Sequence, residues 1–227
     1  MFRLLIVFVL LLSYSVKSHS QEQQSTYDWS GIYLGGTLGY GQGNIEWLDA
    51  NGVDIPFFGA PGVQVHHWPS GITYGGVFGY NWQKDSLVFG IEASIIGNVD
   101  DKGSYFNGTR NLPNSSAISS TLMFGGRVGY AKDTSLYYFQ SGIASADIDL
   151  MHLIPLGVAE SSVTHKGYYL GGGIDWALNS NWVFGVGYKH IKFQSKVHGG
   201  YLGAQTTGVK IDNLLLDTVL MRLTYKF

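Results

Sequence analysis

The chain of 227 residues contains no cysteine. That one absence removes disulfide scaffolds, thiolate zinc sites, iron–sulfur clusters and thiol catalysis together. Proline is scarce, at five residues, so collagen-like segments and proline-rich linkers are also absent. Charge is scarce too: Asp, Glu, Lys and Arg make up 13% of the chain, against roughly 25% in an ordinary soluble protein. A formal net charge of −2 leaves no electrostatic footprint for nucleic acid. No stretch reaches the roughly 18 consecutive apolar residues that a membrane-spanning helix needs. What is abundant is glycine, at 32 residues, and aromatic side chains, at 15%. The length suits one large all-β unit or two small domains.

The N-terminus reads as an export signal. Met1, Phe2 and Arg3 form a short basic start, and Leu4 to Val16 is a run of 13 mostly apolar residues. That length fits a signal-peptide core and is too short to span a bilayer. Ser18 and Ser20 supply small residues at the −3 and −1 positions, so residues 1–20 are expected to be removed before Gln21. Residues 21–28 then form a short periplasmic segment, and 29–227 the folded domain.

Apolar and polar residues alternate in eight segments, near 30–42, 71–83, 87–97, 119–131, 135–150, 165–177, 182–194 and 214–227. Period-two alternation is the signature of a β-strand buried on one face. The connections between them alternate as well. Three are tight turns, at 84–86, 132–134 and 178–181, and four are long and polar, at 43–70, 98–118, 151–164 and 195–213. Short turns on one rim and long loops on the other predict an eight-stranded antiparallel up-and-down transmembrane β-barrel.

In the last segment Val219, Met221, Leu223, Tyr225 and Phe227 share one face, opposite Thr218, Arg222 and Thr224. The fourth segment sets Leu122, Phe124, Val128 and Tyr130 against Arg127, and the third sets Leu87, Phe89, Ile91 and Ile95 against Glu92. Alternation alone does not say which face is outside. Aromatic residues at the ends of the apolar faces, the loop asymmetry and the low charge content favour an apolar outside in contact with lipid. The fifth segment carries Tyr137, Tyr138 and Phe139 on both phases, and its facing stays open. In the seventh, Ile191 and Phe193 fall out of phase with Trp182 to Tyr188, which predicts a β-bulge near His190.

Several stretches together resemble a known family. They are Asp28-Trp-Ser-Gly-Ile-Tyr-Leu-Gly-Gly-Thr-Leu-Gly-Tyr40, Gly75-Gly-Val-Phe-Gly-Tyr-Asn-Trp-Gln83, Leu87-Val-Phe-Gly-Ile-Glu-Ala93, Gly126-Arg-Val-Gly-Tyr-Ala131 and the terminal Leu223-Thr-Tyr-Lys-Phe227. As a set, in this order, they resemble the small alphaproteobacterial outer-membrane proteins. That group includes surface immunogens and hemin-binding and porin-like proteins, related to the OmpA-like eight-stranded barrel. The resemblance implies an integral barrel in the outer membrane of a Gram-negative bacterium, with a periplasmic N-terminus. It further implies insertion by the barrel-assembly machinery, with Tyr225 and Phe227 as the assembly signal, and no conserved enzymatic chemistry.

Two groups of residues are candidates for chemistry. Glu92, Arg127, Asp175, Lys189 and Arg222 all fall mid-segment on the polar phase, which predicts a charge-paired plug in a lumen only just wide enough for side chains. Such a plug leaves no room for a sizeable substrate, and it makes wide-pore conduction improbable on geometric grounds. The second group is His66, His67 and His198, placed by the segment pattern in the first and fourth long loops. Imidazoles beside Trp68 would suit haem iron and a porphyrin face, so a haem receptor is the alternative to a structural, surface-presenting barrel. A barrel hydrolase acting on lipid is the third reading, though no nucleophile-elbow motif is present. The expected partners are outer-membrane lipid and the assembly machinery, with haem or a host surface ligand as the added partner and no metal.

Overall fold

The computed structural model describes residues 27–49, 64–100, 104–106, 109–112, 115–154, 157–199 and 208–227. The leader 1–20 and most of 21–28 lie outside the described residues. In chain order the strands are β1 (Gly31–Asp49), β2 (Gln64–His67), β3 (Ser70–Lys84), β4 (Leu87–Asp100), β5 (Ser104–Phe106) and β6 (Thr109–Leu112). They continue as β7 (Ser115–Lys132), β8 (Ser135–Ile154), β9 (Gly157–Ala177), β10 (Trp182–Phe193), β11 (Lys196–Gly199) and β12 (Gly208–Lys226).

Eight of these strands form the wall: β1, β3, β4, β7, β8, β9, β10 and β12, each antiparallel to the next. The ring closes because β12 pairs back onto β1, from Tyr33 opposite Lys226 to Asp49 opposite Val209. The sheet therefore has no edge in its wall, as a structure in lipid requires. The short strands stand at the long-loop end, with β2 on β1, β11 on β12, and β5 paired with β6. At the other end the chain reverses through tight hairpins. Asp85 and Asp133 open two of them with φ of 55°, a left-handed conformation that Asp tolerates better than most residues.

Exposure decides which face of the alternation is outside. Leu34, Leu38, Phe78, Phe89, Leu122, Phe124, Phe139, Met221 and Leu223 are all exposed, while their polar-phase neighbours Glu92, Arg127, Asp175 and Arg222 are buried. An apolar outside with charges inside is the reverse of a soluble barrel and fits a lipid solvent. Aromatic side chains ring this surface at two levels. Tyr40, Tyr74, Tyr168 and Tyr188 lie toward the long loops, and Trp82, Tyr130, Tyr137 and Trp182 toward the tight turns. On β3, Tyr74 and Trp82 are eight residues apart, about 27 Å along the strand. A tilt of about 40° brings that to roughly 20 Å, close to the thickness of the apolar band of outer-membrane barrels.

The fifth segment, left open by the sequence, is settled. In β8, Leu136, Tyr138 and Gln140 are buried inside while Tyr137, Phe139 and Ile143 face out. Two expectations are corrected. The loop expected at 151–164 is mostly wall, because β8 and β9 pair from Ser135 opposite Trp176 to Ile154 opposite Gly157. Met151, Leu153 and Ile154 are apolar on both phases, so period-two alternation does not mark them as strand. The expected bulge near His190 is absent: β10 keeps an unbroken register with β9 and β12. Ile191 and Phe193 are buried in phase with Lys189, because the interior at that height is apolar. The register shifts fall instead at Glu46/Trp47 between β1 and β12 and at Ile118/Ser120 between β7 and β8.

Glycines divide by facing. A Cβ added at Gly39 would lie 1.9 Å from the Val219 carbonyl oxygen, and one at Gly75 1.9 Å from that of Ile95. At the outward-facing Gly36 and Gly76 the nearest atoms are 3.9 and 3.7 Å away. The first pair lets the small ring curve, and the second is not sterically required. Accordingly, Gly39→Ala and Gly75→Ala should each lower stability by about 1–3 kcal/mol, whereas Gly36→Ala and Gly76→Ala should leave it unchanged. Urea unfolding of the refolded protein in lipid, followed by tryptophan fluorescence, measures the difference.

Candidate functional site

The structure brings Glu92, Arg127, Asp175, Lys189 and Arg222 into one layer across the lumen. They come from β4, β7, β9, β10 and β12, and all five are buried. Arg222 bridges the two carboxylates, donating from Nη1 to Glu92 at 2.8 Å and from Nη2 to Asp175 at 2.5 Å. Arg127 Nη1 stands 3.3 Å from Asp175 and 3.8 Å from Glu92, and its Nε donates to Asn81 Oδ1 at 2.8 Å. Lys189 is held more loosely, 3.4 Å from Glu92 and 3.0 Å from the Ser94 hydroxyl.

Sequence reasoning missed the aromatic part of this layer. Tyr33 donates its hydroxyl to Glu92 at 2.9 Å, and its ring lies 4.7 Å below the Arg127 guanidinium. Arg127 and Arg222 also stand 5.3 and 5.2 Å from the Tyr138 ring, and Lys189 5.4 Å from that of Tyr169. Cation–π contact adds a second partner for each cation where water is excluded. The signal was available for Tyr33, which is in phase with Gly35. For Tyr138 it was hidden by aromatic residues on both phases of the strand.

Apolar side chains close the lumen on both sides of the charges. Toward the long loops, Ile45, Ile96, Ile118, Met123, Ile148, Tyr169, Ile191, Phe193, Ile211, Leu214 and Leu216 pack into one buried cluster. Toward the tight turns, Trp29 is buried against Val88, Ala131, Leu136, Tyr138 and Val183. Trp29 is pinned there by its backbone: its N–H donates to Gln83 Oε1 at 2.7 Å and its carbonyl accepts from Asn81 at 3.2 Å. Beside it, the Ser30 amide donates to Asp28 at 2.8 Å and holds that carboxyl below the usual carboxylate range. The cavity next to the charged layer measures about 20 Å³, room for about one water molecule.

The histidines are placed differently. In the strand register His66 and His67 stand opposite Glu46 and Ile45 of β1, and His198 opposite Val209 of β12. Because β1 and β12 are neighbours, β2 and β11 are three strand spacings apart, about 14 Å along the wall. The backbone thus does not bring His66 and His198 together. The His66 ring stacks on Trp68, with centroids 5.9 Å apart and planes at 13°. The side chains of His67 and His198 lie outside the described residues. Tyr225 and Phe227 sit at the tight-turn end, where Tyr225 meets Trp182 at 5.3 Å and Phe227 at 5.0 Å edge to face. Among the described residues no group of three or more His, Asp or Glu side chains is arranged to hold a metal ion.

A closed eight-stranded ring with an apolar exterior, two aromatic girdles and a plugged, charged interior defines an integral membrane barrel of the outer-membrane type. A family model for the outer membrane protein beta-barrel domain matches residues 6–227, and the chain belongs to that family. It is 28% identical over 169 residues to the 22 kDa outer membrane protein of Rhizobium leguminosarum bv. viciae, covering 74% of this chain and 66% of that protein. It is 26% identical over 202 residues to the 25 kDa outer-membrane immunogenic protein of Brucella canis, covering 88% and 80%. Among solved structures, OprG from Pseudomonas aeruginosa aligns over 91% of this chain and 99% of its own, with 13% identity and a TM-score of 0.47. The family and its named relatives place the chain in the outer membrane of a Gram-negative bacterium.

The charged layer holds three cations against two carboxylates, and this imbalance makes its members unequal. Glu92→Ala strands Arg222 and Lys189 in a closed interior and should cost about 3–5 kcal/mol. Lys189→Met removes the surplus charge at the most loosely held position and should be neutral or stabilising. Equilibrium unfolding of the two variants in the same lipid tests the asymmetry.

Proposed function

We propose that the protein is a non-enzymatic envelope component that anchors surface loops in the outer membrane without conducting. The observation that carries this reading is the lumen, which is sealed by an apolar cluster, a charged layer and Trp29 in series. Water-filled conduction needs a continuous polar path, and about 20 Å³ beside the charges is not one. The loops then become the part of the protein that meets the outside. The immunogenic relative in Brucella canis supports surface presentation, since an immunogen is by its name seen by a host. In this reading residues 1–20 are the cleaved leader, and the half-buried Tyr225 and exposed Phe227 at the C-terminus meet the barrel-assembly machinery during insertion.

The test is electrical and topological. Refolded protein in a planar bilayer should give no stepwise conductance, and it should resist SDS until boiled, then shift in migration. Protease added to intact cells should cut only at the long-loop rim, while the wall stays protected.

A second reading, haem capture at the outer rim, rests on the stack of His66 and Trp68, an imidazole beside an exposed indole. In that case hemin titration of the refolded barrel should shift the Soret band, and His66→Ala should remove most of the shift while heat-dependent migration is kept. A Soret band unchanged by the native protein ends this reading and leaves the structural one standing.

A further inference from the structure

We propose that the outer wall of β9 and β10 binds the phosphate groups of a glycolipid headgroup in the outer leaflet, through Lys166 and Lys192. This rests on the orientation that puts the tight turns in the periplasm. Both lysines are exposed and share the outward face with the girdle residues Tyr168 and Tyr188.

Register fixes their height. Lys192 of β10 stands directly opposite Tyr168 of β9, and Lys166 lies two residues further toward the long loops, where its carbonyl accepts from Gln194 N–H at 2.8 Å. The two lysines are thus diagonal neighbours on one antiparallel pair, about 7–8 Å apart. Girdle tyrosines mark the boundary between acyl chains and headgroups, so both amines reach the layer in which headgroup phosphates sit. An ammonium there is attracted to anionic headgroups.

Neither amine has a partner among the described residues, and the nearest acids are already engaged. Asp147 accepts the Thr164 hydroxyl at 2.7 Å. Asp217 takes the Tyr188 hydroxyl and stands 2.7 Å from His190 Nδ1. The two described lysines further out are also occupied: Lys196 donates to the Thr164 carbonyl at 2.7 Å, and Lys210 pairs with Asp212 at 2.6 Å. At the corresponding level the rest of the described wall offers no cation. β1 presents Gln42, Asn44 and Glu46, β3 presents Ser70, β7 Ser120, and β8 Ser145 and Asp147. Two amines without an ion-pair partner among the described residues, confined to one side at headgroup depth and beside Tyr168, are complementary to the phosphates of a sugar headgroup rather than to an acyl chain.

The experiment measures binding of bisphosphorylated lipid A to the refolded full barrel in detergent, by native mass spectrometry. Lys166→Gln and Lys192→Gln should each weaken binding roughly fivefold, and the double variant on the order of twentyfold. Lys132→Gln, an exposed lysine at the tight-turn end, should change nothing. Heat-dependent migration of every variant checks that it is folded, which separates loss of the site from loss of the barrel. Retention of dephosphorylated lipid A as strong as that of the phosphorylated form would overturn the proposal. So would full binding by the double variant, or equal loss with Lys132→Gln. Inorganic phosphate that binds as tightly as the lipid would overturn the assignment to a headgroup.

Discussion

A backbone amide inside a bilayer has no water to turn to, and the rest of this structure follows from that requirement. The pairing of β12 with β1 satisfies it by leaving the wall without an edge. Closing a ring with only eight strands sets a small radius. The small radius brings neighbouring backbones so close on the concave side that Gly39 and Gly75 have no space for a side chain. It also leaves an interior that side chains must fill, because an unfilled one would be neither a packed core nor a usable channel.

The filling is layered. Five charged residues on five different strands form a slab, and apolar clusters lie on either side of it. This order has a physical logic. Charges that exclude water must be matched by one another, and Glu92 and Asp175 are each approached by two or three cations with tyrosine rings completing the shell. The apolar clusters remove the remaining paths by which water could compete. The interior is thereby a packed core rather than an open channel.

Much of this was legible in the chain. Absence of cysteine, scarcity of charge and eight alternating segments joined by short and long connections were enough for an eight-stranded barrel in a membrane, and the phase of the alternation marked Glu92, Arg127, Asp175, Lys189 and Arg222 as one set. These are local properties, because period two is a rule about neighbours along a strand. The same rule failed in two places. Ile191 and Phe193 looked out of phase because polar-inside was assumed at every height, and the pairing of Ile154 with Gly157 was invisible because Met151, Leu153 and Ile154 are apolar on both phases and so show no alternation.

Only the tertiary structure decided the rest. Which face met lipid depended on the closure of the ring, since a sheet that closes the other way round uses the same alternation. The partners of each lumen charge depended on strand stagger, a relation between segments as distant as Glu92 and Arg222. The separation of His66 from His198 depended on β1 and β12 lying side by side, the two ends of the wall joined in space. By itself the sequence determined the number of wall strands and which residues share a face, because those follow from periodicity. The contacts among them were left to the fold, because a contact needs a register and a register exists only once the barrel has closed.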